Sequence, residues 1–415
     1  MSAASVGRRS WPVRTLGSED RASFLSVDSH AFGATMPGEL IESERDTFEE
    51  ARGIGAYAGD DLVGIATAYS YRLSVPGAVA PAAAVSWVGV LPTHRRRGVL
   101  SALMAHQIHS VHEAGIEPLA ILWASEPQIY GRYGYGSATR AYSCTVPRDS
   151  RALQAGVPHD PELRLRLADP ANWALTAEVY AAVAAARPGV PERDERWWRR
   201  AVRDIPALRE GRSELRCVIA EDDHGVRGYA RYATKQDFAD FGAGVVFVRE
   251  VMATDAAALA ALYRYLFDLD LMASTELWNV PVDDPLLHWL TNPRRAKPVL
   301  GDALYVRLVD LPRALSSRTY AVELDVVLDV VDELCPWNAG RWRLAGGPAG
   351  GGCERSTAPA DLSLDVTQLG AAYLGGFALA ELAAAGQVSE LVPGALPLAT
   401  SAFAHSPAPW APAIF

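Results

Sequence analysis

Three arginines and a glycine, Arg95-Arg96-Arg97-Gly98, separate a β-branched and aromatic run (Val85 to Val90) from a stretch where Leu100, Leu103, Met104, Ile108 and Val111 recur every three or four residues. That spacing predicts a strand, then an amphipathic helix that begins at the arginines. The free amides of a helix's first turn, a glycine without a Cβ and the helix dipole together make a seat for phosphate oxygens. Guanidinium groups add charge-assisted, often bidentate bonds to the same oxygens. Cations at this end of a helix cost about 0.3–1 kcal/mol each, a penalty that a bound polyanion reverses. The alternative is a solvated basic patch. The stretch has neither the Gly-Lys-Ser/Thr ending of a nucleotide P-loop nor G-x-G-x-x-G, so the chemistry it suggests is a pyrophosphate grip of another kind.

The chain that must position this grip has 415 residues, enough for two or three domains. Hydrophobic residues at 49% and charged residues at 21% describe a globular protein. A net charge of −10 argues against a general nucleic-acid binder and favours cationic small molecules or peptides. Cys144, Cys217, Cys335 and Cys353 are scattered, with no C-x-x-C, so no disulfide framework or zinc knuckle is indicated. No secretory h-region or apolar run of about 18 residues occurs. The expectation is a cytoplasmic protein with no nucleic-acid or membrane partner.

Within residues 1–150, an acid-rich helical segment carries Phe32, Glu39, Glu42 and Glu44, and GAYAGDDLVGIATAYSYR reads as a hairpin turning at Gly59-Asp60-Asp61. The pattern partly returns in residues 151–300: CVIAEDDHGVRGYARYATK echoes the hairpin, and VVFVREVMATDAAALAALYRYL echoes the strand and helix. In the second copy Asp255 and alanines replace the arginines, so the grip is lost. Residues 301–415 open on LYVRLVDLPRAL and contain GGPAGGGC, read as a mobile hairpin loop or linker. The chain ends PAPWAPAIF, too apolar for a frayed end and therefore docked. His106, His109 and His112 repeat every three residues, but the spacing drifts around the helix and no metal is expected. Trp197-Trp198, beside arginines, reads as packing or as a contact between subunits.

Three landmarks coincide: VGVLPTHRRRG, the IYGRYGYG run from Ile129 to Gly136, and the APWAPAIF terminus. Strand, Arg-x-x-Gly-x-Leu and helix resemble the coenzyme A motif of the GNAT superfamily, and the three together resemble the Eis (enhanced intracellular survival) family of N-acetyltransferases over essentially the whole chain. The resemblance implies an α+β fold: two tandem GNAT-like mixed domains followed by a domain like sterol carrier protein, assembled as a homo-hexamer. It implies acetyl-CoA as cosubstrate and small-molecule or peptide amines, aminoglycosides included, as acceptors. Val88, Gly89 and Val90 match the family's strand position, and Arg96, Arg97, Gly98, Val99, Leu100 and Ser101 match its pyrophosphate loop, with Arg95 adjoining. Ser125 and Glu126 stand where the pantetheine arm would pass.

Tyr130 matches the family's general acid. A phenol with a pKa of about 10 can protonate a thiolate whose conjugate acid has a pKa of about 8.5; read without the family, it is a packing tyrosine, and Tyr133 and Tyr135 stand in the same turn. Phe415 matches the family's base through its terminal carboxylate, ionised above a pKa of roughly 3.3–3.7; the alternative is that its ring plugs a gap. Phe32 and Trp87 match aromatic positions near the substrate channel. Ala34 and Ile414 stand where the family can carry acids, a departure that weakens the case for polycationic acceptors. Two other readings stay open: a protein that senses acyl-CoA or carries a lipid or hydrophobic ligand without turnover, and an interaction scaffold.

Overall fold

The structure, a computed structural model, describes residues 11–240 and 242–415. In the first segment, β1 (Val13–Thr15), β2 (Ile54–Ala58), β3 (Asp61–Val75), β4 (Ala78–Val90) and β5 (Leu119–Trp123) form consecutive strands of one sheet. Helices α1 (Arg21–Phe32), α2 (Gly38–Glu44), α3 (Val99–Ala114) and the single turn α4 (Pro127–Tyr130) accompany them, followed by β6 (Gly136–Ser137) and β7 (Arg140–Pro147). The second segment holds β8 (Arg164–Ala168), β9 (Arg216–Asp222), β10 (Gly225–Lys235), β11 (Gly244–Ala253), β12 (Met272–Pro281) and β13 (Val299–Asp302). Its helices are α5 (Ala177–Ala186), α6 (Glu195–Val202), α7 (Ala256–Asp268) and α8 (Leu286–Trp289).

Both hairpins fall where the Asp-Asp turns place them, and each copy then runs strand, helix and parallel strand: β4–α3–β5 and β11–α7–β12. Asp255 explains the loss of the grip in the second copy. Its carboxylate accepts the amides of Ala257 and Ala258 and so caps α7 itself, where α3 has no side-chain cap.

The expected division at 150 and 300 is crossed by two strands. β7 leaves the first segment to pair with β12 and β13, and β14 (Leu304–Leu308) returns to lie between β5 and β6. LYVRL, expected to open the last domain, is thus corrected to a central strand of the first sheet. All five of its residues are buried, Arg307 included. That arginine makes two bonds to Asp332, at 2.9 and 2.7 Å, and Asn338 and the Cys335 amide occupy the same carboxylate. Removing one partner leaves an uncompensated buried charge. Arg307→Ala is expected to lower stability by about 3–5 kcal/mol in chemical denaturation, and apolar replacement of both Arg307 and Asp332 to recover most of it.

The third sheet has β15 (Leu324–Val331), β16 (Gly340–Gly347), β17 (Gly350–Arg355), β18 (Leu362–Asp365) and β19 (Val388–Glu390), with α9 (Leu311–Ser316), α10 (Val366–Ala372), α11 (Leu379–Ala384) and α12 (Ala395–Phe403). The glycine-rich stretch is not a linker: it is the β16–β17 hairpin itself. A Cβ at Gly346 or Gly351 would meet the Tyr320 ring at 2.9 or 3.0 Å, so the glycines admit that ring against the sheet. Two of the three histidines of α3, His109 and His112, pack on the same ring, Trp337, at 5.0 and 4.0 Å. His112 stacks on it and His109 lies 3.3 Å from the Leu334 carbonyl, docking α3 onto the third segment. Trp197 and Trp198 are buried within the chain, against Tyr69 and Tyr71 and against Trp173 and Tyr180 respectively. Among the described residues no helix is long and apolar enough to cross a membrane.

Candidate active site

β4 and β5 pair only from Ala82 to Ala84 against Leu119 to Ile121. Beyond that β4 runs on to Val90 and the two strands part. A bulge lies on the separating stretch: Ser86 stands opposite Thr67 and Gly89 opposite Ile65, so Trp87 and Val88 share one partner position. Trp87 takes a φ of 54°, a left-handed conformation that costs a large side chain strain and marks a position held by its surroundings. The bulge bends β4 and leaves the Val88 and Val90 backbone along a cleft. Gly89 is buried, and its missing Cβ makes room for Ala31 of α1, whose Cβ would lie 3.0 Å away. The close approach expected at this glycine is therefore between helix and strand.

At the mouth of the cleft, α3 begins at Val99, not at the arginines. Arg96 (φ 60°) and Gly98 (φ 91°) are left-handed and turn the chain before the helix can start. Arg95 is exposed and donates to the carbonyls of Ala31 at 2.7 Å and Val90 at 3.3 Å, bracing the loop against α1 and β4. Arg96 and Arg97 are exposed, and no carboxylate among the described residues pairs with either; the Arg97 carbonyl accepts the Trp11 indole N–H at 2.8 Å. Val99 is buried beneath the loop, so only its backbone amide is available. Leu100 is half-buried, and Ser101 Oγ meets the Tyr133 hydroxyl at 3.1 Å, tying the loop to the tyrosine turn. Two unpaired guanidiniums over an uncapped helix start are a donor set that fits a pyrophosphate. Ser125 and Glu126 follow β5, both exposed, and the Glu126 carbonyl accepts the Ile129 amide to open α4.

Tyr130 closes α4. Its side chain is buried, none of the described residues hydrogen-bonds its hydroxyl, and its pKa is pushed up to about 12, chiefly by burial and then by Tyr133 and Glu126. The neighbouring tyrosines are distinguishable from it: Tyr133 is bonded to Ser101, and the Tyr135 hydroxyl is sealed in the core with no partner among the described residues.

The terminus returns to the first sheet. A Phe415 terminal oxygen accepts the Ser86 hydroxyl at 2.9 Å, one residue before the bulge, and its ring packs edge-on to Tyr71 at 5.0 Å. The tail gets there along the second copy of the fold, where β11 and β12 part after Val248 and Leu277. Asn279, itself left-handed at φ 58°, donates to the Ala411 carbonyl at 2.7 Å, and its own carbonyl accepts the Trp410 indole at 2.8 Å. Gly189 lies against the Trp410 backbone, where a Cβ would meet the carbonyl at 2.7 Å. The cleft that lost its phosphate grip now holds the chain end.

Trp87 donates to the Tyr69 hydroxyl at 2.6 Å and, with Phe24 and Phe48, lines a cavity of about 390 Å³ beside the bulge. Phe32 is not among its lining residues and is half exposed at the end of α1, so this cavity brings Trp87 together with Phe24 and Phe48. Of the three glutamates on α2, Glu44 is buried between Arg200 and Arg203, which neutralise it. Asp28, not anticipated, is buried on the same face of α1 as Phe24. It has no ion pair among the described residues, and burial pushes its carboxyl up to about 6. The Phe24/Asp28 spacing of four was the available signal.

Comparison with known proteins matches residues 12–138 and 189–308 each to an acetyltransferase (GNAT) domain and 311–412 to a sterol carrier protein domain. The chain is 45% identical to an uncharacterized N-acetyltransferase of Streptomyces avermitilis over 96% of this chain and 98% of that one. It is 35% identical to the N-acetyltransferase Eis of Mycobacterium tuberculosis, over 80% of this chain and 81% of that one. The crystal structure of Eis1 from Mycobacterium abscessus superposes with a TM-score of 0.82 at 34% identity, covering 97% of this chain and 100% of that one. With a splayed strand pair in each GNAT domain and a sterol-carrier-like third domain, the chain belongs to the Eis family of N-acetyltransferases.

Proposed function

We propose that this N-acetyltransferase uses acetyl-CoA as donor and acetylates a primary amine of aminoglycoside, polyamine or lysine type, with the chain's own terminus as base. Bound acetyl-CoA supplies an acyl group activated as a thioester. Arg96, Arg97 and the first-turn amides of α3 hold its pyrophosphate, and the backbone of Val88 to Val90, with Ser125 and Glu126 opposite, flanks the pantetheine arm. A Val88 N–H beside the bulge is a fixed donor for the carbonyl oxygen as charge builds there. The Phe415 carboxylate takes the proton of the acceptor ammonium. The nitrogen–carbon bond then forms, the carbon–sulfur bond breaks as Tyr130 gives its proton to the departing sulfur, and the second proton shed by the nitrogen restores the Tyr130 phenol, leaving neutral amide, free thiol and one proton on the terminus for release to solvent. What supports this reading most is the hydrogen bond from Ser86 to the terminal carboxylate. It fixes an anion on the strand that bears the bulge, a position that plugging a gap with a phenyl ring does not require.

The test is thiol release from acetyl-CoA against a panel of amines, with the product identified by mass. Amine-dependent release is expected, and its absence with every amine overturns the proposal. In the same assay the double variant Arg96→Ala, Arg97→Ala is expected to raise KM for acetyl-CoA by about tenfold or more, because charge-assisted bonds are lost. The difference should narrow at high salt, since both groups are exposed.

A further inference from the structure

A second recess lies against the other side of the chain end. It has a volume of about 260 Å³, and Tyr71, Trp197, Ala413 and Ile414 are among the residues that line it. Arg193, Arg200, Arg203, Arg231 and Arg249 line it as well, Arg200 lying over the Trp197 ring. Carboxylates do not balance these five. Glu250 serves both Arg193 at 2.7 Å and Arg231 at 3.1 Å, and Glu44 serves both Arg200 at 3.2 Å and Arg203 at 2.5 Å. Glu192, the remaining acid of the lining, is held by Arg72. Arg249 has no carboxylate among the described residues and donates only to the Arg203 carbonyl. Even with the terminal carboxylate counted, cations outnumber anions around the recess.

Two further features mark the imbalance as built in. Arg231 is fully buried and Arg193 nearly so, yet Arg231 Nε and Arg193 Nη1 have no acceptor among the described residues, an arrangement that costs free energy unless something offsets it. Arg249 is the extra residue of the bulge in β11, where Val248 stands opposite Tyr232 and Glu250 opposite Arg231. The second copy has kept the bulge of the first, and in it a bulge re-aims a guanidinium at the recess.

We propose that this recess binds an oxyanion group, carboxylate or phosphate, carried by the acceptor, so that the acceptors are amines that also bear an anion. The inference rests on the amine-acetylation reading. Tyr71 and Ile414, in contact with or adjoining Phe415, line the recess, so one small molecule can set its ammonium at the terminal carboxylate and its anion among the arginines. A free anion acting as effector would use the same chemistry, and the test separates the two sources.

The test compares Nα-acetyl-lysine with Nα-acetyl-lysine amide, which offer the same ε-amine and differ by one carboxylate. The acid is expected to have the higher kcat/KM by about tenfold or more, as one charge-assisted bond provides. Arg249→Ala is expected to bring the ratio near one, and Arg249→Lys to restore part of it. Inorganic phosphate, titrated calorimetrically, is the second arm. Equal kcat/KM for the two amines, with phosphate binding that Arg249→Ala abolishes, supports the oxyanion site and assigns it to a free anion. No preference together with no Arg249-dependent phosphate binding overturns it. If no amine is acetylated, the amine-transfer reading fails, and the phosphate titration still decides the site.

Discussion

Deletion of Phe415 is expected to lower kcat by about 10²–10⁴-fold, the usual contribution of a positioned proton acceptor, while equilibrium binding of acetyl-CoA is retained. The separation of effects follows from where the tail is held. Asn279 grips Ala411 and Trp410, and Arg187 donates to the Ala408 carbonyl at 2.7 Å, all upstream of the last residue. Shortening the chain by one residue removes the carboxylate from Ser86 without releasing the tail. Two companions divide charge from ring. Adding one glycine after Phe415 keeps the ring and displaces the carboxylate, so it should be as damaging as the deletion. Phe415→Ala keeps the carboxylate and loses the contact with Tyr71, so it should retain more activity. Stopped-flow or steady-state thiol release measures all three. Full turnover in the deleted chain would remove the terminus from the mechanism.

Tyr130→Phe is expected to lower kcat by a factor in the same range of about 10²–10⁴ with little change in KM for acetyl-CoA. The pH dependence follows from the shift already described. The active form is the protonated phenol, burial pushes its pKa up to about 12, and protonation is therefore lost only as pH rises through that value. The wild-type kcat should show no alkaline fall from this group below about pH 11. A decline centred near the ordinary phenol value of about 10 would point to another donor. Tyr133→Phe and Tyr135→Phe serve as controls. The first breaks the bond to Ser101 and should act on acetyl-CoA affinity. The second removes a buried hydroxyl that has no partner among the described residues, so it should leave stability unchanged or higher.

Much of the site was legible because its signals are local. A strand, a turn with glycine and a helix of period 3.6 are all written between Val85 and Val111, with the arginine loop inside that window, whereas Tyr130 lies beyond it and is singled out only by the family resemblance. The Asp-Asp hairpins and the replacement of the arginines by Asp255 were legible for the same reason, and they located the duplicated fold. Other features are not legible at the scale of single residues. Three adjacent arginines look equivalent in sequence, yet left-handed backbone at Arg96 sends Arg95 to the Ala31 carbonyl and leaves Arg96 and Arg97 outward. Phe24 and Phe48, on α1 and in the segment after α2, look unrelated in sequence, and only tertiary packing brings both rings onto Trp87.

From its sequence alone this protein is a duplicated strand-helix-strand fold with an arginine loop in the first copy only, a third segment and an apolar terminus expected to dock, and the resemblance of its motifs adds the GNAT identity. Hydrophobic period, turn residues and charge decide these matters, and all three act between near neighbours along the chain. Tertiary structure alone decided that β7 and β14 exchange sheets, that Ser86 receives the final carboxylate, and that the second copy's cleft seats the tail while five arginines gather beside it. The reason is that an alternating apolar strand satisfies either sheet equally well. Which sheet it joins, and which charges then meet, depends on burial and backbone pairing between residues more than a hundred positions apart.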